Sequence, residues 1–200
     1  MISITEARKE IQNGGIVVYP TDTVWGMGCD PFNQAAVEKL FQVKGKEKDG
    51  LSIMLNHSRI IGDYCEVNQT AEKIIKEFLP GPITLILRSK RNFAKGVTRN
   101  GNIAVRIPSN RTALELAKES PVVTTSANRH NSEIAKSMDE AIQTFGSQCV
   151  YLDGEKPMGV ESTIIDLTQD KPEIKRIGAL YSPILEGINF KMERSRKAGS

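Results

Sequence analysis

Short apolar runs rich in β-branched residues recur along this chain and alternate with amphipathic stretches that carry helix caps. IVVY (16–19), LSIML (51–55), TLIL (84–87), IAVRI (103–107) and VVTTS (122–126) have the length and composition of buried strands. Segments 150–152, 162–167 and 174–177 extend the series. Between them, Ser3 and Glu6 have capping-box spacing ahead of a helix that ends at Gly14-Gly15. Asn33 caps a helix through about Gln42, with Ala36, Val37, Leu40 and Phe41 on one face. A third helix runs from Gln69 to Leu79 and stops at Pro80-Gly81. Asn110 opens a fourth, through Glu119, and Ser137 with Glu140 forms a second capping box for a helix to Phe145. Interleaving without a repeat implies an α/β fold with a mixed sheet. No linker divides the chain, so residues 1–189 form one domain, and 190–200 are expected to be a disordered basic tail.

A chain of 200 residues buries about 70% of its unfolded surface and needs neither disulfides nor a structural metal. The formal charge of +3 resides in the last ten residues, and the remainder is neutral. That distribution excludes a histone-like or ribosomal basic protein. Cys29, Cys65 and Cys149 form no CxxC, and the N-terminal segment lacks the basic start and apolar run of a signal peptide. Reduced thiols, no membrane span and a cytoplasmic location are the expectation.

Several standard sites are excluded. His57 and His130, the two histidines, cannot form HExxH, and GxSxG does not occur. Gly45–Gly50 and Gly154–Gly159 have G-x4-G spacing but are followed by Leu51 and Val160 where a P-loop needs Lys. Four polar segments remain. In YPTDTVWGMG (19–28), hydroxyls leave a strand end beside glycines, either to face a ligand or to build an Asx/ST turn. Lys44, Lys46 and Lys48 could neutralise a triphosphate or simply be solvated. From Arg88 to Arg111 the chain holds seven basic residues and no acid. Among them Arg106 lies inside the apolar strand, where an unpaired guanidinium is costly. It needs a bound anion, an internal ion pair or a solvated sheet face. TTSAN (124–128) and ESTIID (161–166) offer hydroxyls and an amide at strand edges, for substrate recognition or for turns.

Taken in order, YPTDTVWGMGCDPFN, AVEKLFQVKGKEKDGLSIML, LPGPITLIL, IAVRIPSNRTALELA, TTSAN, GVESTIIDL and IKRIGAL resemble the YrdC-like family of L-threonylcarbamoyladenylate synthases. The resemblance implies a single-domain, twisted open sheet with flanking helices and a basic concave face. It implies that ATP, L-threonine and bicarbonate give threonylcarbamoyl-AMP and pyrophosphate, with Mg2+ accompanying ATP and no protein metal ligand. The product would feed a separate threonylcarbamoyl-transferase complex that modifies tRNA. By motif match, Lys44 and Lys46 would be the catalytic, phosphate-holding K-x-R pair. Asn102, Asn128, Ser137 and Arg176 would bind ATP, and Thr23, Arg106, Ser126 and Ser162 threonine. Departures cluster near the nucleotide: Lys46 replaces an arginine, the KGKEKDG loop is one residue short, and Arg129-His130 replaces a Ser-Gly step. Two alternatives stay open, a non-enzymatic protein binding tRNA or double-stranded RNA, and a paralogue acting on another carbamoyl or nucleotide substrate.

Overall fold

The computed structural model describes residues 1–45, 51–180 and 191–192. Helices α1 (Ile4–Gln12), α2 (Gln34–Lys44), α3 (Ile61–Tyr64), α4 (Gln69–Phe78), α5 (Arg111–Leu116) and α6 (Met138–Phe145) flank one sheet. The strands are β1 (Val17–Pro20), β2 (Trp25–Gly28), β3 (Ser52–Met54), β4 (Ile83–Arg88), β5 (Asn102–Arg106) and β6 (Val122–Ser126). β7 (Val150–Tyr151), β8 (Thr163–Asp166), β9 (Glu173–Arg176) and β10 (Lys191–Met192) complete it. Their order is β10-β9-β8-β4-β5-β3-β6-β2-β1-β7, an open sheet that mixes parallel and antiparallel pairings.

The helices begin where the caps place them. Ser3 and Glu6 complete a reciprocal capping box, and Asn33, Asn68 and Asn110 each accept the backbone N–H three residues on. The second expected box is only half made. Ser137 accepts from Glu140 N–H, whereas the Glu140 carboxylate takes the N–H of Lys136 instead of that of Ser137. α2 runs to Lys44, beyond the expected Gln42, because its last carbonyls find partners outside the helix: Arg129 donates to Val43 O and His130 N–H to Lys44 O.

Two elements depart further from the sequence reading. Trp25–Gly28 is a strand, not a loop, and pairs antiparallel with β1 and β6. Gly28 is indispensable there, since a Cβ would lie 1.7 Å from Val123 O. In the expected tail, Lys191 and Met192 pair parallel with β9 as a short strand. The rest of 190–200, like 46–50, lies outside the described residues.

The period-two alternation of strand side chains divides the interior. One face buries Val18, Ile53, Leu85, Val105, Val123 and Ile165 in a large core with Leu40 of α2, Ile74 of α4 and Phe145 of α6. The other face is covered only in part. Val17, Tyr19, Met54 and Val122 pack there with Ala7 and Ile11 of α1 and Leu116 of α5. Beyond those helices the same face turns polar.

Candidate functional site

The register sets that polar band side by side. Gly26 faces Ser126 across β2 and β6, and Ser52 faces Thr124 across β3 and β6. Thr84 lies opposite Arg106, Ile164 beside Thr84, and Arg176 opposite Ile164. These residues, with Thr21, Val24, Thr125, Glu161 and Ser162, wall a cavity of about 230 Å3. Two guanidiniums enter it, in agreement with the basic face expected. The band continues into a second cavity of about 650 Å3 that includes Asn102, Arg99, Asp166 and Lys175. A third, of about 760 Å3, lies between segments 133–136, 156–161 and 176–178. Arg176 borders all three.

Arg106 is 6% exposed, and the carboxylate it needs is Asp22. Its Nη2 donates to Asp22 Oδ1 and to Thr23 Oγ1, both at 2.5 Å. Burial lowers the Arg106 pKa from its ordinary value, and the Asp22 charge opposes that shift. The pairing is one-sided: Arg106 Nε and Asp22 Oδ2 are buried without hydrogen-bond partners among the described residues. Asp22 is held by a turn that Thr21 builds, its Oγ1 accepting from the N–H of Thr23 and Val24 and donating to Val24 O at 2.7 Å. The turn reading of this segment therefore holds, and the turn leaves Thr21 at the cavity, while Thr23, fully buried, stands behind Arg106.

Arg176 is gathered by the segment before β8. Its Nε donates to Ser162 O at 3.0 Å, Nη2 to Ser162 Oγ at 3.2 Å, and Nη1 pairs with Glu161 Oε1 at 2.6 Å. Ser162, 3% exposed, also shares a 2.8 Å hydrogen bond with Thr84. The chain after β9 must pass close over this segment, because a Cβ on Gly178 would meet Glu161 O at 2.2 Å.

Lys44, at the C-terminus of α2, is 3% exposed and points into the TTSAN segment. Its Nζ donates to Ser126 O at 2.8 Å, Asn128 O at 3.1 Å and Asn128 Oδ1 at 2.7 Å. Ser126 Oγ also donates to Asn128 Oδ1. The ammonium thus fixes Ser126 and Asn128 relative to each other and to α2, from the last turn of the helix, where a cation is favourable. Arg129 binds Val43 O, Thr144 O and Gln148, so the Arg129-His130 departure ties this loop to α2 and α6.

The structure therefore brings Arg106, Ser126, Ser162 and Arg176 to one cavity, sets Thr23 behind Arg106, places Lys44 and Asn128 at its edge against Ser126, and puts Asn102 in the adjoining one. Ser137 borders none of these cavities, and its hydroxyl is engaged as the cap of α6. Lys46 and Lys48 lie outside the described residues. Sequence reasoning missed Asp22, Ser52 and Thr84, and it named Thr124 and Glu161 only as parts of the TTSAN and ESTIID segments. A signal for Asp22 was present, since a guanidinium in an apolar strand demands an anion and Asp22 is an acid released at a neighbouring strand end. The hydroxyls of Ser52 and Thr84 become legible as wall residues only with the register.

The cysteines take no part. Cys29, Cys65 and Cys149 are buried and free, and burial pushes each thiol up to about 12. Among the described residues no group of three or more His, Cys, Asp or Glu is placed to hold a metal ion, and no helix is long and apolar enough to cross a membrane.

Residues 9–178 match the family Sua5_yciO_yrdC, whose description is telomere recombination. The chain is 32% identical over 187 residues to the threonylcarbamoyl-AMP synthase of Pyrococcus abyssi, an alignment covering 89% of this chain and 54% of that one. It is 36% identical over 167 residues to a putative threonylcarbamoyl-AMP synthase of Methanocaldococcus jannaschii, covering 82% and 80%. The crystal structure of P. abyssi Sua5 complexed with L-threonine superimposes with a TM-score of 0.87 at 30% identity, over 96% of this chain and 60% of that one. That of E. coli YciO gives 0.81 at 26% identity, over 88% and 89%. The chain thus spans little more than half of the P. abyssi protein, and the family match over residues 9–178 contains the strands that wall the cavity. Sequence match, shared fold and the polar band together place this chain in the YrdC/Sua5-like family.

Proposed function

We propose that this protein is an L-threonylcarbamoyladenylate synthase, joining ATP, L-threonine and bicarbonate into threonylcarbamoyl-AMP with release of pyrophosphate. The observation that carries the reading is the 230 Å3 cavity, small enough for one amino acid, with hydroxyl walls and the buried guanidinium of Arg106 in its floor. A buried guanidinium paired with Asp22 suits a carboxylate ligand.

In this reading Arg106, Ser126, Ser162 and Thr23 hold threonine, Thr23 acting from behind through Arg106. Arg176 stands at the mouth, between the amino-acid cavity and the larger ones, where a nucleotide α-phosphate would meet the carbamate. Ser137, the cap of α6, borders none of the three cavities and is given no role there, whereas Asn102 and Asn128 are assigned to the nucleotide. Lys44 and Lys46 are assigned to its phosphates, and Lys44 would also keep Ser126 and Asn128 in place. Magnesium would arrive on the phosphate oxygens and water, which fits a site whose charged wall residues are mainly cations. The free amine of threonine adds to the carbon of bicarbonate with loss of water. The carboxylate of the resulting N-carbamate, not the α-carboxylate held by Arg106, attacks the α-phosphate, its new P–O bond forming as the bond to pyrophosphate breaks. Such a step needs placement and charge neutralisation rather than an enzyme nucleophile. The product would pass to a threonylcarbamoyl-transferase complex acting on tRNA.

The test is direct incubation with ATP, L-threonine and bicarbonate, following pyrophosphate and threonylcarbamoyl-AMP. Both products are expected to depend on threonine, and their absence from well-folded protein sinks the reading. Arg106→Ala is expected to raise the threonine KM far more than the ATP KM. Equal effects would refute the carboxylate assignment.

A further inference from the structure

The residues around the 230 Å3 cavity include two guanidiniums and a set of hydroxyls, but a single carboxylate, that of Glu161. Asp22, outside the wall, is 8% exposed and turned to Arg106. An amino acid enters a site as a zwitterion. Arg106 can take its carboxylate, but Arg106 and Arg176 together repel its α-ammonium, which hydroxyl dipoles alone compensate poorly. Glu161 Oε1 is occupied by Arg176 at 2.6 Å. Its Oε2 has no hydrogen-bond partner among the described residues, and the side chain is 41% exposed. The backbone that carries it is fixed: Glu161 O accepts from Ala179 N–H at 2.7 Å, and the Gly178 backbone lies against it.

We infer that Glu161 is the specificity-determining residue that receives the α-ammonium of the amino-acid substrate through Oε2, while Oε1 keeps Arg176 aligned. The inference rests on the amino-acid reading of the cavity given above. It makes the cavity a two-ended clamp, Arg106 for the carboxylate and Glu161 for the amine. It also separates threonine from hydroxy acids that share its size and hydroxyl group.

Isothermal titration of the full chain with L-threonine and with 3-hydroxybutanoate, which keeps the carboxylate and hydroxyl but lacks the amine, tests this. The wild type is expected to prefer threonine by about tenfold or more, the scale of one hydrogen bond to a charged group. Glu161→Gln is expected to bring the two affinities within about threefold by weakening threonine alone, and Glu161→Asp to recover part of the preference. A Glu161→Gln protein that keeps the wild-type preference but binds ATP more weakly would overturn the inference and reduce Glu161 to a support for Arg176. Wild-type protein that binds neither ligand would instead refute the amino-acid reading of the cavity, and the inference with it. Circular dichroism and melting of each variant separate loss of fold from loss of recognition.

Discussion

Removing Asp22 is the most demanding test of how the site is held together. Asp22 and Arg106 side chains are each 8% exposed and paired at 2.5 Å. Replacing Asp22 with Ala leaves a guanidinium in surroundings that already press its pKa down, with Thr23 Oγ1 as its remaining acceptor among the described residues. Breaking a buried ion pair from one side costs about 3–5 kcal/mol, because the surviving charge is uncompensated. For a domain of this size each kcal/mol moves the melting temperature by about 2–4 °C, so Asp22→Ala should lower it by roughly 6–20 °C. Thermal melts followed by far-UV circular dichroism at neutral pH read this directly. The double variant Asp22→Leu/Arg106→Met removes both charges at similar volume and should recover at least half of the loss. An Asp22→Ala melting temperature within about 2 °C of wild type would refute the reasoning. So would a double variant no more stable than the single one, since packing rather than charge would then account for the loss. Threonine binding separates the two variants from each other: Asp22→Ala still carries the guanidinium, and the double variant does not.

Two further outcomes follow from burial and backbone geometry. Gly28→Ala drives a methyl group into Val123 O, a backbone atom that cannot move aside, and should cost about 2 kcal/mol or more, whereas Gly62→Ala meets nothing within 4 Å and should be neutral or slightly stabilising in urea denaturation. Cys29, Cys65 and Cys149 have thiols raised to about 12 against an ordinary 9.0. The folded state therefore keeps its thiol protons where the unfolded chain loses them, and this contribution is complete below pH 9 and lost as the pH rises towards 12. Urea midpoints should fall across that window, and iodoacetamide should label the native protein far more slowly than the denatured one. Rapid labelling of all three cysteines in native protein at neutral pH would contradict the burial.

The fold was legible where a local rule is also the global one. Caps at Ser3, Asn33 and Asn110 and the β-branched runs placed helices and strands within a few residues, because capping and continuous apolarity act over one turn or one strand. Trp25–Gly28 escaped because two glycines depress strand propensity, and the reason for Gly28, the close carbonyl of Val123, lies nearly a hundred residues away. At the site, Arg106 announced itself as a charge in an apolar strand, and the motif match brought Ser126, Ser162 and Arg176 to the same cavity. Thr84 and Ser52 are ordinary strand residues in sequence, and Thr124 stands out only as part of TTSAN. Their shared role arises from cross-strand register, which no local pattern encodes.

The strand order has a consequence for how such a chain is made. β1, among the first strands to be synthesised, lies between β2 and β7, and its parallel partner Val150–Tyr151 is near the other end of the domain. β4 likewise waits for β8. At about 5–20 residues per second, roughly ten seconds separate the emergence of β1 from that of β7. Through that interval the hairpin of β1 and β2 presents an unpaired edge of Val17, Val18 and Tyr19, all fully buried in the finished protein. A ribosome stalled in the second half of the message would release a chain with an adhesive edge, so the demand this topology makes on protein quality control falls during synthesis rather than after it.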